Sequence, residues 1–172
     1  MNKVLLAVLL ALPVVSSAVE WIDLGKSGDK QMQTFLDYDS VKRQNIRVYG
    51  DSSFSSTKDK PKYISAIFQY TYINNNPVRK KGLYYSKQQW FISCDDQTYY
   101  VNALVDYGFK DEVINSQQFK KTMLSESDFS YAFPETVGGY NIENACASIA
   151  IKEVELLDSY EEFMESLMLN SN

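Results

Sequence analysis

The sequence predicts an α+β domain: a single antiparallel sheet of about six strands, followed by a C-terminal helix that a disulfide ties to it. Three observations carry this. Between Trp21 and Tyr107 apolar residues tend to recur at every second position, the period of a half-buried strand. From about Asn141 they recur every three or four positions, the period of a helix. The only two cysteines are divided between these regions, Cys94 with the strands and Cys146 with the helix.

Residues 21–24 read as a short strand, and residues 33–38 with 45–52 as a hairpin turning at Lys42, Arg43 and Gln44. In residues 62–74 the even positions Ile64, Ala66, Phe68, Tyr70 and Tyr72 form one apolar face, with Ser65, Gln69 and Thr71 opposite. A polar connection, residues 74–82, leads to strands at 83–94 and 97–107. Residues 111–133 admit a short strand near Val113 and Ile114 or a helical turn over 117–122. Pro134, Gly138 and Gly139 end this irregular part. The spacing of Ile142, Ala145, Cys146, Ile149, Val154, Leu157, Tyr160, Met164 and Leu167 predicts one helix face, and Ser159 with Glu162 fits a capping box, so a break is expected near Asp158.

The stretch 90–108 sets its own register. Trp90, Ile92 and Cys94 share one face, and Tyr99, Val101, Ala103 and Val105 another. A connection of two or four residues around Asp95 and Asp96 turns both sets to the same side, so Cys94 points into the core and the aspartates act as turn residues. In an exported chain, a cysteine on the core face of a strand and one on the apolar face of a later helix most simply join. Two free thiols are the alternative.

Export is expected from the first residues: Lys3, an apolar run over 4–15, and Ser16, Ser17 and Ala18 at the positions a signal peptidase reads. The run is well short of the roughly 20 residues a bilayer span needs. The expected organisation is therefore a signal peptide at 1–18, one domain at 19–150 and an acidic helical extension at 151–172, with no membrane span. The leader holds no cysteine, so no lipid anchor is expected, and the protein would reside in the periplasm, at the cell surface or outside the cell.

Charge is unevenly spread. Residues 19–90 carry 12 Lys/Arg against 7 Asp/Glu, a net of +5, whereas residues 91–172 carry 4 against 15, a net of −11. An acidic protein of this kind is a poor nucleic-acid binder, because that binding neutralises phosphates. A basic contact surface has to come from the first half. The 13 tyrosines suit strands, and also contact surfaces, where a rigid ring with a polar tip is useful.

The chain has no histidine, which removes Ser-His-Asp, Cys-His and His-dependent zinc sites together. Neither the G-x-x-x-x-G-K nor the G-x-G-x-x-G phosphate-binding pattern is present. Paired acids remain, at Asp37/Asp39, Asp95/Asp96 and Glu161/Glu162, each read more simply as a turn or a solvated face. The expectation is a noncatalytic protein with no cofactor and no metal.

Several motifs, in order, resemble the surface-adhesin protein E family of Gram-negative bacteria: Trp21; "YDSV" at 38–41 followed by "IRVY"; "KYISAIFQYTY"; "CDDQTYY"; "YGF" at 107–109; and "FPETVGGYNIENAC". The resemblance covers about Trp21 to Cys146. It implies an antiparallel sheet whose concave side holds a C-terminal helix by a disulfide, self-association into a homodimer, and binding of host matrix or serum proteins such as vitronectin, laminin and plasminogen. Basic exposed residues carry that binding in the family. Their positional counterpart here is the connection with Arg79, Lys80 and Lys81, and Tyr85 and Tyr100 are expected on an exposed sheet face beside it. The alternative is a periplasmic structural or envelope-maintenance protein with a bacterial partner.

Overall fold

The computed structural model describes residues 19–49, 61–119, 121 and 123–169, with side chains as far as Met164. The expected leader, residues 1–18, lies outside the described residues, as does the end of the strand expected at 45–52. Six strands form one antiparallel sheet in the order β1 (Trp21–Lys26), β2 (Met32–Gln44), β4 (Tyr63–Tyr72), β5 (Tyr85–Ser93), β6 (Thr98–Tyr107) and β7 (Val113–Gln118). The short β9 (Ser130–Tyr131) also pairs with β6, opposite Thr98 and Tyr99. A separate parallel pair joins β3 (Val48–Tyr49) to β8 (Leu124–Ser125).

The predicted alternation is realised in β4: Ile64, Ala66, Phe68 and Tyr70 are buried on the side that meets the helix α2 (Val137–Leu169). Leu36, Trp90 and Ile92 from the neighbouring strands complete that layer, and Ile142, Ala145 and Ile149 close it from the helix. The disulfide is formed, Cys94 to Cys146, with the Cα atoms 5.9 Å apart.

No hairpin turns at Lys42, Arg43 and Gln44. These three continue β2 and pair with Ser65, Ile64 and Tyr63 of β4. The reason is a local substitution for the ladder where its register shifts after Asp37. There the Ser40 amide donates to Asp37 Oδ1 and the Ile67 amide donates to Ser40 Oγ at 2.8 Å, so the strand bends without losing its partner. Consequently β3 leaves the main sheet, β4 pairs with β2 directly, and the sixth strand is β7 at the far edge beside β6, the strand reading of residues 111–133.

The face predicted for β6 also divides. Ile92 lies opposite Tyr99 and Trp90 opposite Val101, as the turn at 94–97 requires, but an extra residue, Asn102, follows before Gln89 meets Ala103. This bulge carries Ala103 and Val105 to the side away from the helix. In the turn itself the left-handed backbone falls on Gln97, with φ of 53°, and not on either aspartate.

Helix α2 begins earlier than the spacing suggested. Thr136 Oγ1 accepts from the Gly139 amide, and a side chain at 139 would collide with the Phe133 carbonyl, 2.3 Å from its Cβ position, so only glycine lets the chain turn into the helix there. Helix continues unbroken through Asp158. Ser159 does not cap a second helix: its hydroxyl donates to the Glu155 carbonyl within the same one, and neither Gly nor Pro interrupts residues 140–169.

Candidate functional site

The polar connection at 74–82 folds into one helical turn, α1 (Pro77–Lys80), because Asn76 Oδ1 accepts the Val78 amide and Pro77 supplies a helix-compatible start. This turn aims Arg79 back at the sheet end. Its Nη1 donates to the Tyr72 carbonyl at 2.7 Å and its guanidinium lies 4.2 Å from the Tyr84 ring centroid. Tyr84 in turn lies 5.2 Å from Phe109, which is 59% exposed. Lys80 and Lys81 are exposed at the C-terminal end of the turn, so the basic triplet divides: one cation built into the scaffold, two facing water.

Tyr85 opens β5 on the opposite side from α2. Its ring stacks on Tyr107 at 4.5 Å, and its hydroxyl donates to Asp111 Oδ1 at 2.9 Å. Removal from water and then the Asp111 carboxylate push its pKa up to about 12. On the same face Lys87 Nζ lies 5.1 Å from the Trp21 ring centroid and 5.8 Å from that of Tyr107. Trp21, Phe35, Ile67, Val105 and Tyr107 there are all half-buried, with strand register placing them beside one another. One end of the sheet therefore gathers cations and aromatic rings: Arg79, Lys80, Lys81, Tyr84, Tyr85 and Phe109.

Tyr100 does not belong to it. It pairs with Phe91 near the other end of β5, about 20 Å along the strand from Tyr85 at roughly 3.3 Å per residue. Its hydroxyl donates to the Phe119 carbonyl at 2.7 Å, and its ring joins Phe91 and Phe129 in a second apolar cluster around Val48, Tyr63 and Leu124. That cluster covers this end of the outer face, which is why alternation alone, seeing only β6, left Tyr100 open.

Sequence reasoning missed Trp21, Tyr84, Lys87, Phe109 and Asp111 as parts of the site. Only Trp21 and Phe109 had a usable signal, as members of the motifs that carry the family resemblance. Lys110 and Asp111 hold φ of 67° and 63°. Non-glycine residues adopt this conformation only where their surroundings demand it, and no local pattern announces it.

The acid pairs are not opposed across a cleft. Asp37 binds the Ser40 amide, Asp39 is exposed, and Glu161 and Glu162 are exposed on α2. A hollow of about 600 Å³ lies beside the disulfide, edged by Arg43, Lys62, Asp95 and Asp96. There Asp96 accepts from Ser93 Oγ at 2.8 Å and pairs with Lys62 at 2.9 Å. Among the described residues no group of three or more His, Cys, Asp and Glu side chains gathers to hold a metal, and no helix is long and apolar enough to cross a membrane.

Tyr85 gives a direct check on this geometry. The folded chain holds its proton above the ordinary tyrosine pKa of about 10, so the stability this contributes is intact below pH 10 and lost as pH rises towards about 12. Following tyrosinate absorbance should show late-titrating rings, the buried Tyr70 among them, whose count falls by one in Tyr85→Phe and one of which moves down in Asp111→Asn. A late-titrating fraction that is the same in wild type, Tyr85→Phe and Asp111→Asn would contradict the contact.

The fold defines a disulfide-clipped α+β protein with an aromatic and cationic patch at one end of its sheet. Comparison with family models, with curated proteins and with solved structures found no match to this chain.

Proposed function

We propose that this is a noncatalytic, exported binding protein of the adhesin type, whose ligand is a protein, a host matrix or serum protein being the case the sequence resemblance suggests. The observation that carries the reading is the sheet end where Arg79 stacks on Tyr84 and Tyr84 on Phe109, Tyr85 stacks on Tyr107, and Lys80 and Lys81, next to Arg79 in the chain, are exposed. Rigid rings with polar tips and adjacent cations are what a protein–protein contact uses at its anchors. The disulfide fits an oxidising compartment and so supports export.

A pull-down of the purified protein against serum and matrix proteins tests the reading. The double variant Lys80→Ala/Lys81→Ala should weaken capture of an acidic partner in a salt-sensitive way while leaving the fold intact, since exposed charge attraction is screened within about 8 Å at physiological ionic strength. Arg79→Ala should also loosen α1, because it removes the bond to Tyr72 and the stack on Tyr84. Binding unchanged in the double variant removes this patch as the site. The second reading is an envelope protein with a bacterial partner, which the same disulfide would suit. Full protection from protease in intact cells would favour it over the adhesin.

A further inference from the structure

Helix α2 outlasts the sheet it packs on. At about 1.5 Å per residue its 33 residues span about 50 Å. Ile142, Ala145 and Ile149 close the core, and a turn further on the Lys152 ammonium donates to the Tyr38 carbonyl at 2.6 Å and Glu153 pairs with Arg43 at 2.8 Å. Every residue from Val154 to Phe163 is then exposed. The apolar face does not stop with the sheet. Leu156 follows Ile149 by two turns, as Ile149 follows Ile142, and Leu157 and Tyr160 flank it at helical spacing, so the face that is core in the first half of α2 returns in the second. There Leu156, Leu157 and Tyr160 are 72%, 59% and 61% exposed. Contiguous large apolar side chains left open in this way mark a contact surface. Acids flank them: residues 153–172 hold six Asp/Glu and no Lys or Arg, and Glu155, Asp158, Glu161 and Glu162 are exposed.

We infer that this stripe docks a basic amphipathic helix of a partner protein, whose apolar face covers Leu156, Leu157 and Tyr160 and whose Lys and Arg side chains lie beside the acids of α2. Charge selects this occupant over the two others that an apolar helix face takes. The same stripe of a second copy would bring acid against acid along the contact, with no cation to offset it. An anionic lipid surface repels those acids too, and helices that lie in a membrane interface carry Lys and Arg on their polar face. The stripe is also distinct from the cationic patch. Arg43, which holds Glu153, pairs with Ile64 near the start of β4, whereas Arg79 bonds Tyr72 at the end of β4, so the two surfaces belong to opposite ends of the sheet and attract opposite charge.

The probe is a labelled synthetic helix with Leu at heptad a and d positions and Lys between them, titrated with the full chain at physiological salt and read by fluorescence anisotropy. The wild type should bind it. A peptide with Glu in place of every Lys, equally apolar, should bind about tenfold more weakly or worse. The double variant Leu156→Ser/Tyr160→Ser should lose about tenfold or more with an unchanged circular dichroism spectrum, because both side chains are exposed and no core contact is removed. Ile151 is 53% exposed but lies half a turn round the helix from Tyr160, so Ile151→Ser should leave binding unchanged. Lys80→Ala/Lys81→Ala should leave it unchanged as well, which keeps this result separate from the pull-down. A wild type that ignores the basic peptide overturns the proposal, and so does equal binding of both peptides or binding indifferent to Leu156→Ser/Tyr160→Ser. Sedimentation velocity and phosphatidylcholine vesicles test the other occupants: a dimer or a vesicle-bound form that this double variant abolishes would overturn it too.

Discussion

Replacing both cysteines, Cys94→Ser with Cys146→Ser, should lower unfolding stability by about 4 kcal/mol while leaving a folded protein. The figure follows from the sequence separation of 52 residues that the bond closes, through the loss of loop entropy it imposes on the unfolded chain. Against a typical net stability of 5–15 kcal/mol this is a large share. Folding should survive, because Ile142, Ala145 and Ile149 still bury their side chains against Leu36, Phe68 and Trp90. Asn141 Nδ2 also keeps its bond to the buried Tyr70 hydroxyl at 2.8 Å. The double variant is preferred to a single one, which would leave a reactive thiol. Urea unfolding with and without reductant checks it: the wild-type midpoint should fall on reduction and the double variant's should not. Coincident wild-type curves under both conditions would mean that the bond adds nothing.

The parts of this fold that were legible in the sequence are those where one physical rule acts alone. Residues 66–70 alternate between buried and half-buried because there one side meets the helix and the other does not. The pairing of Cys94 with Cys146 followed from two faces and a compartment. The departures arise where a side chain does the work of the backbone. Ser40 supplies ladder groups and hides the bend in β2, so a strand that continues looked like a hairpin. Asn102 sits in a bulge and bonds Gln89 through its side chain at 2.7 Å, reversing the faces of Ala103 and Val105.

The candidate site was legible only in its charges. Lys80 and Lys81 stand exposed as expected, and Tyr85 lies on the outer face. What the sequence could not convey is which distant residues reach them. Trp21 comes to Lys87 through the pairing of β1 with β2, of β2 with β4 and of β4 with β5, and Phe109 comes to Tyr84 through the pairing of β5 with β6, where the Tyr84 amide donates to the Tyr107 carbonyl. Tyr100 fails for the matching reason: the segment that covers it, around Leu124 and Phe129, is distant along the chain and was read as irregular.

Phe68→Ala should cost about 3–5 kcal/mol, the usual range for deleting a fully enclosed aromatic ring. Phe68 has no exposed surface, lies between Leu36 and Gln88 across the sheet, and packs 4.9 Å from the Trp90 ring. It occupies the middle of the central layer, where strands on both sides fix its surroundings and little can collapse into the space left behind. Its neighbour Ile67 provides the contrast. One residue away along the same strand, Ile67 points to the outer face and is half-buried, so Ile67→Ala should cost clearly less, about 1 kcal/mol for its smaller buried area. Denaturant titration of the two variants separates the faces of the sheet. Equal losses would mean that the outer face is as enclosed as the inner one, and with that the open surface on which the binding reading rests would be gone.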